Sequence, residues 1–100
     1  MTYSLYFSPE AQSDLFDSIN WYNQEKENLG FRFYDAFEEK INLLVDKPQQ
    51  SPVRFNEIRA AKLNGFPYLI YFRIDQNRFS IVILGVLHTS RNPNIIRRRK

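Results

Sequence analysis

Cysteine is absent from this chain and histidine occurs once, at His88. Without cysteine there are no disulfides and no thiolate ligands. One histidine leaves only carboxylates to hold a metal, which excludes a structural zinc, so we expect no metal and no cofactor. A chain without disulfides fits the reducing cytoplasm. Glycine is scarce as well. Gly30, Gly65 and Gly85 each stand alone, so there is no phosphate-cradling loop, no dinucleotide fingerprint and no nucleophile elbow. No apolar run approaches the roughly 20 residues that span a bilayer, and the opening "MTYSLYFSPEAQ" lacks a basic start followed by an apolar stretch. A membrane partner is therefore not expected.

What the chain does have is aromatic bulk and divided charge. At 100 residues and 43% hydrophobic, with nine Phe, six Tyr and one Trp, residues 1–100 read as one small domain whose core is built from rings. Residues 1–50 carry four Lys or Arg against nine acids, net −5, whereas residues 51–100 carry ten against two, net +8. The positive half attracts nucleic acid, an acidic protein or an acidic peptide, and charge alone does not separate these from a solvated basic tail.

Periodicity orders the elements. "TYSLYFS" alternates Tyr3, Leu5 and Phe7 with polar neighbours, the period of a half-buried strand. "SPEA" then offers Ser8 as N-cap, Pro9 at the first helical position and Glu10 in the first turn. Ala11, Leu15, Ile19 and Tyr22 follow at helical spacing to about Asn23. Leu29, Phe33, Phe37, Ile41 and Leu44 form a second stripe that Pro48 stops. Gln49 to Asn56 reads as a loop, and the period then becomes two. "EIRAAKL", "YLIYFRI" and "RFSIVILGVLH" are strands separated by turns at "NGFP" and "DQN". The expected fold is α+β: an N-terminal strand, a helical hairpin, then a three-stranded antiparallel meander with both helices on one face.

A tight turn at Gln76 and Asn77 pairs Asp75 with Arg78, Arg73 with Ser80, Tyr71 with Val82 and Leu69 with Leu84. In that register Ile70, Phe72, Ile74, Phe79, Ile81 and Ile83 face the helices. Leu69, Tyr71, Arg73, Val82, Leu84, Val86 and His88 share the other face, which a small domain leaves open as a partner site unless the C-terminal tail covers it. His88 with Arg73 and Arg91 is the best candidate cluster. Cleavage of RNA through its 2′-hydroxyl needs a base, an acid and a cation. Glu57 or His88 supplies the first, His88 the second, and Arg59, Arg73 or Arg91 the third. Trp21, Tyr22, Phe33, Tyr34 and Phe37, at helical spacing, read as core, and Asp14, Asp17, Glu38 and Glu39 as ordinary surface charge. In the tail, Ile95 and Ile96 are expected to anchor on the sheet while Arg97, Arg98, Arg99 and Lys100 project toward an acidic partner.

The ordered set "FSPEAQSDL", "LGFRFYDAF", "KPQQSPV", "IRAAKLNGFPYLIYFRI" and "ILGVLHTSRNP" resembles the RelE/ParE superfamily of toxins from bacterial type II toxin-antitoxin modules. The resemblance implies a compact α+β toxin wrapped and silenced by a cognate antitoxin, with operator DNA bound only through that antitoxin. RelE-like members are ribosome-dependent endoribonucleases that cut messenger RNA, whereas ParE-like members poison DNA gyrase and are not nucleases. Arg59, Arg73 and His88 lie where the superfamily's sheet residues lie. No tyrosine follows His88, however, and only Lys62 matches the lysine-rich set of the ribonuclease branch. The wording "FPYLIYFRI" and "VLHTSRNP" is closer to the ParE-like branch, so that reading is preferred, with the ribonuclease, or a non-toxic binding module, as the alternative.

Overall fold

The computed structural model describes residues 2–99. Strand β1 (Ser4–Phe7) leads into helices α1 (Pro9–Glu25) and α2 (Leu29–Asp46). A 3-10 turn at Pro48–Gln50 follows, then β2 (Val53–Phe55), β3 (Ile58–Lys62), β4 (Tyr68–Asp75), β5 (Ser80–His88) and a one-turn helix α3 (Asn94–Arg97). The sheet order is β1-β5-β4-β3-β2, antiparallel throughout except that β1 runs parallel to β5. The expected strand, helical hairpin and meander are all present. What the periodicity missed is β2, which lies inside the stretch read as a loop. At three residues it is too short for alternation to register.

Local chemistry sets the helix ends. Ser8 Oγ accepts the Ala11 N–H at 3.1 Å, with Pro9 opening α1. Asn28 takes a left-handed φ of 66° between the helices, a conformation asparagine tolerates better than most residues. The hairpin closes tightly at Gly30, whose N–H donates to Asn23 Oδ1 at 2.7 Å. A Cβ at Gly30 would overlap the Ile19 carbonyl oxygen.

The helices cover one face of the sheet. Phe33, Phe37, Ile41 and Leu44 pack on Ile70, Phe72, Ile81, Ile83 and Val86, and burying each such side chain contributes about 1.5–3 kcal/mol. Rings dominate one end, where Phe33 lies 5.2 Å from Tyr22, 5.2 Å from Phe66 and 4.8 Å from Tyr68. Two aromatics expected in this core are elsewhere: Trp21 is 53% exposed and Tyr34 39%. Each helix buries one stripe, held on α1 by Ala11, Leu15, Ile19 and Tyr22 and on α2 by Phe33 and Phe37.

The opposite face is not open. α3 lies across it, and Ile96 is wholly buried with Ile58, Ala60, Leu69, Tyr71, Leu84 and Leu87. The tail thus supplies a second, smaller core. Leu69, Tyr71 and Leu84 are buried in the free chain rather than exposed, while Val82 and Ile95 stay half-buried at its margin.

The β4–β5 register also differs from the tight-turn expectation. Asp75 pairs with Ser80 and Arg73 with Val82, because the turn is a four-residue loop in which Asp75 Oδ1 accepts the Arg78 N–H and Phe79 adopts a left-handed φ of 48°. Phe79 therefore leaves the apolar face and stacks on Tyr3, with centroids 3.9 Å apart. A two-residue shift preserves the faces. A bulge farther on does not: Phe72 pairs with Ile83 but Tyr71 with Gly85, so Leu84 is the extra residue and parity flips beyond it. Val86 consequently joins the helix-side core, and His88, opposite Tyr68, points to the helix side too.

Candidate functional site

The bulge at Leu84 and Gly85 frees backbone groups, and two distant side chains take them up. Asp14 Oδ2 on α1 accepts the Val86 N–H at 3.0 Å, and Arg99 Nη1 donates to the Leu84 carbonyl at 3.2 Å. Arg99 and Asp14 also pair directly. Gly85 makes this possible, since a Cβ there would overlap the Ile96 Cδ1 methyl and press on Arg99 Nη1. Asp14 is therefore not ordinary surface charge, and Arg99 does not project toward a partner. Lys100 lies outside the described residues. The sequence mark of this arrangement was the lone glycine inside a strand.

Beyond the bulge, β5 delivers His88 into a cleft against α1. His88 Nδ1 accepts the Ser90 N–H at 3.0 Å, which leaves Nε2 to carry the proton of the neutral ring. Its ring meets Tyr68 edge-on at 5.4 Å. One cavity of about 120 Å³ is lined by Asp14, Asp17, Ser18, Tyr68, His88 and Arg91, and an adjoining one of about 310 Å³ by Trp21, Tyr22, Tyr68, His88 and Ser90. His88 and Arg91 are thus brought together, as expected.

The remaining members of the expected cluster are dispersed. Arg73, opposite Val82, stands six residues before His88 along β5, about 20 Å of strand, and on the tail side of the sheet. It shares a pocket with Tyr6, Asp75 and Arg78. Arg59, on the helix side of β3, donates to the Gln49 and Ser51 carbonyls at 3.1 and 2.7 Å, so it ties down the loop before β2. Glu57 lies near Arg59, at the far edge of the sheet from β5. Lys62 Nζ donates to the Leu63 and Phe66 carbonyls. Three residues of the candidate nuclease set therefore fasten or flank loops, and only Arg91 accompanies His88. The carboxylates Asp14 and Asp17 line the same cavity, which weakens its pull on a phosphate. Among the described residues there is no group of three or more His, Asp or Glu able to hold a metal ion, and no helix long and apolar enough to cross a membrane.

The tail face is the strongly basic one. Arg97 lies 4.8 Å over the Phe55 ring, Arg98 is exposed beside it, and Arg73 is half-exposed next to Val82. Half-buried Phe55, Val82 and Ile95 pack at the margin of the second core, with Arg97 over Phe55 and with Arg73, Asp75 and Arg78 around Val82.

Known proteins share this architecture. The chain superposes with a TM-score of 0.75 on a structure of the chromosomal ParDE system from P. aeruginosa, at 20% identity over 87% of this chain and 96% of that one. It is similar to the toxin-antitoxin complex RelBE2 from Mycobacterium tuberculosis, with a TM-score of 0.66 and 25% identity over 88% and 99% of the two chains. The intact E. coli RelBE complex matches with a TM-score of 0.67 at 15% identity over 89% and 99%. Among curated protein sequences none matches the chain. The profile of the ParE toxin of the type II toxin-antitoxin system parDE matches residues 5–93, and with the shared fold this places the chain in the ParE toxin family.

Proposed function

We propose that this toxin acts as its ParE-like features imply, by binding DNA gyrase and blocking it through protein contact rather than by cleaving RNA, and that a cognate antitoxin neutralises it. The observation that carries this reading is the dispersal of the nuclease set. Arg73 and His88 lie on opposite faces and about 20 Å apart along the strand, so Arg73, like Arg59, Glu57 and Lys62, stands away from the cavity that His88 shares with Arg91. A gyrase target places the protein's action in the cytoplasm. Operator DNA is then reached only through the antitoxin.

The antitoxin surface we infer is the basic tail face, where Arg73, Arg97 and Arg98 accompany half-buried Phe55, Val82 and Ile95. An acidic segment with apolar anchors matches that combination. Leu69, Tyr71, Leu84 and Ile96 support this face from beneath, and Val86 takes no part in it. The ribonuclease reading rests on one observation, the shared cavity of His88 and Arg91.

Purified protein tests the two readings in parallel. Under the gyrase reading it inhibits supercoiling by gyrase, leaves messenger RNA on translating ribosomes intact, and keeps its potency in His88→Ala. Cleavage of messenger that disappears in His88→Ala or Arg91→Ala, with supercoiling unaffected, would establish the ribonuclease instead.

A further inference from the structure

The helical hairpin carries an apolar groove that the toxin reading leaves unused. Buried Leu15 and Phe37 form its floor with Phe7 of β1, the Phe7 and Phe37 rings lying 5.9 Å apart. Phe16 of α1 and Tyr34 of α2 form the walls, 61% and 39% exposed. The enclosed space is about 320 Å³, at the lower end of the roughly 300–1,000 Å³ typical of ligand pockets. The fold has no evident need for Phe16 here, because Leu15 and Ile19 pack this side of α1. A large aromatic left in water beside a preformed apolar hollow marks an interaction surface.

Charge selects the partner. The α1 carboxylates play no part in the choice, since none of them lines the groove: Asp14 pairs with Arg99, and Asp14 and Asp17 line the His88 cavity. On α2, Glu38 stands one turn beyond Tyr34 and Asp35 adjoins it. Burial first, and the Glu38 carboxylate second, raise the Tyr34 hydroxyl above its usual tyrosine value, which sets that carboxylate against the wall of the groove. The cations of α2, Arg32 and Lys40, do not line the groove, and Arg73, Arg78, Arg97 and Arg98 belong to β4, its turn and the tail. No charged residue lines the groove itself, and the charges beside its Tyr34 wall, Glu38 and Asp35, are acidic, opposite in sign to the tail face.

We propose that the groove between α1 and α2, walled by Phe16 and Tyr34, docks a cationic amphipathic helix. Apolar side chains one turn apart on that helix seat against Phe7 and Phe37, while its lysines or arginines meet Glu38 and Asp35. An acidic antitoxin segment is repelled here, so this is a second docking surface, and it stands whether or not gyrase is the target.

The test uses a fluorescent peptide of roughly 18 residues with leucines at i, i+3, i+4 and i+7 and lysine elsewhere, together with a twin carrying glutamate for lysine. The lysine peptide binds the full chain about tenfold or more tighter than its twin at about 50 mM salt, and weakens toward about 500 mM. Phe16→Ala, at an exposed site that leaves the melting transition in place, lowers the affinity about tenfold, and Glu38→Lys reverses the preference between the peptides. Equal binding of both peptides, or unchanged affinity in Phe16→Ala, overturns the proposal. So does sedimentation showing a dimer of the free chain that Phe16→Ala dissolves, since the groove would then belong to a second copy.

Discussion

Arg99 reaches back to Asp14 across 85 residues of sequence, placing Nη1 2.5 Å from Oδ2 and Nη2 3.2 Å from Oδ1. Both side chains are about one-sixth exposed. The pair joins α1, the β5 bulge and the tail, and each partner also satisfies a backbone group that the bulge set free.

Removing one partner is therefore worse than losing a surface ion pair. Asp14→Ala strands both the Arg99 guanidinium and the Val86 N–H, and breaking a buried pair in this way costs about 3–5 kcal/mol, with partial exposure putting this one near the lower end. Denaturant unfolding measures it. The double variant Asp14→Ala/Arg99→Ala loses less than the sum of the two singles, the signature of direct coupling.

Gly85→Ala tests the close approach of the tail. The new methyl overlaps Ile96 Cδ1 and Arg99 Nη1, and such overpacking costs roughly 1–3 kcal/mol. The strain falls on the tail rather than the helix-side core, so trypsin cuts after Arg97 and Arg98 faster than in the parent chain while β4 and β5 keep their amide protection. Equal digestion rates would show that the tail tolerates the methyl.

Alkaline pH provides a third measurement. The Tyr22 hydroxyl is raised above the usual tyrosine value of 10.0 by burial first and by the Tyr68 hydroxyl second. The folded chain then holds this proton more tightly than the unfolded one. Its contribution is complete below about pH 10 and declines as the pH rises further, where unfolding releases the proton. Tyr22→Phe removes that decline, so its midpoint in urea falls less between about pH 9.5 and 11 than the parent's.

Antitoxin affinity separates the tail's two roles. Arg99 holds the fold, so deleting the last residues would confuse instability with lost binding. Arg97→Gln/Arg98→Gln leaves the Asp14 pair intact. It weakens the complex by about tenfold at low salt and by much less at high salt. Unchanged low-salt affinity would reduce these arginines to solubilising groups.

Much of this architecture was legible in the chain. Alternation at Tyr3, Leu5 and Phe7, the Ser8 and Pro9 start, the stripe from Leu29 to Leu44 and the runs in β4 and β5 are local patterns, and the structure follows them. The site was less legible. In either register Arg73 pairs well back from His88 along β5, opposite Ser80 as expected or Val82 as found, and one extra residue at Leu84 moved His88 to the other face as well. Asp14 and Arg99 read as solvated charges because nothing local links positions 85 residues apart.

The sequence by itself determined the order of the first strand, the helical hairpin and the β3–β5 meander, most of the helix-side core, the opposition of an acidic first half to a basic second half, and the family resemblance, because each depends on residue type and short-range spacing. Only the tertiary structure decided which face His88 joins, that Ile96 closes the second face of the sheet, and that Phe16 and Tyr34 stay in solvent. Those outcomes turn on loop length, one bulge and competition for a limited buried stripe, and they are settled only when distant segments meet.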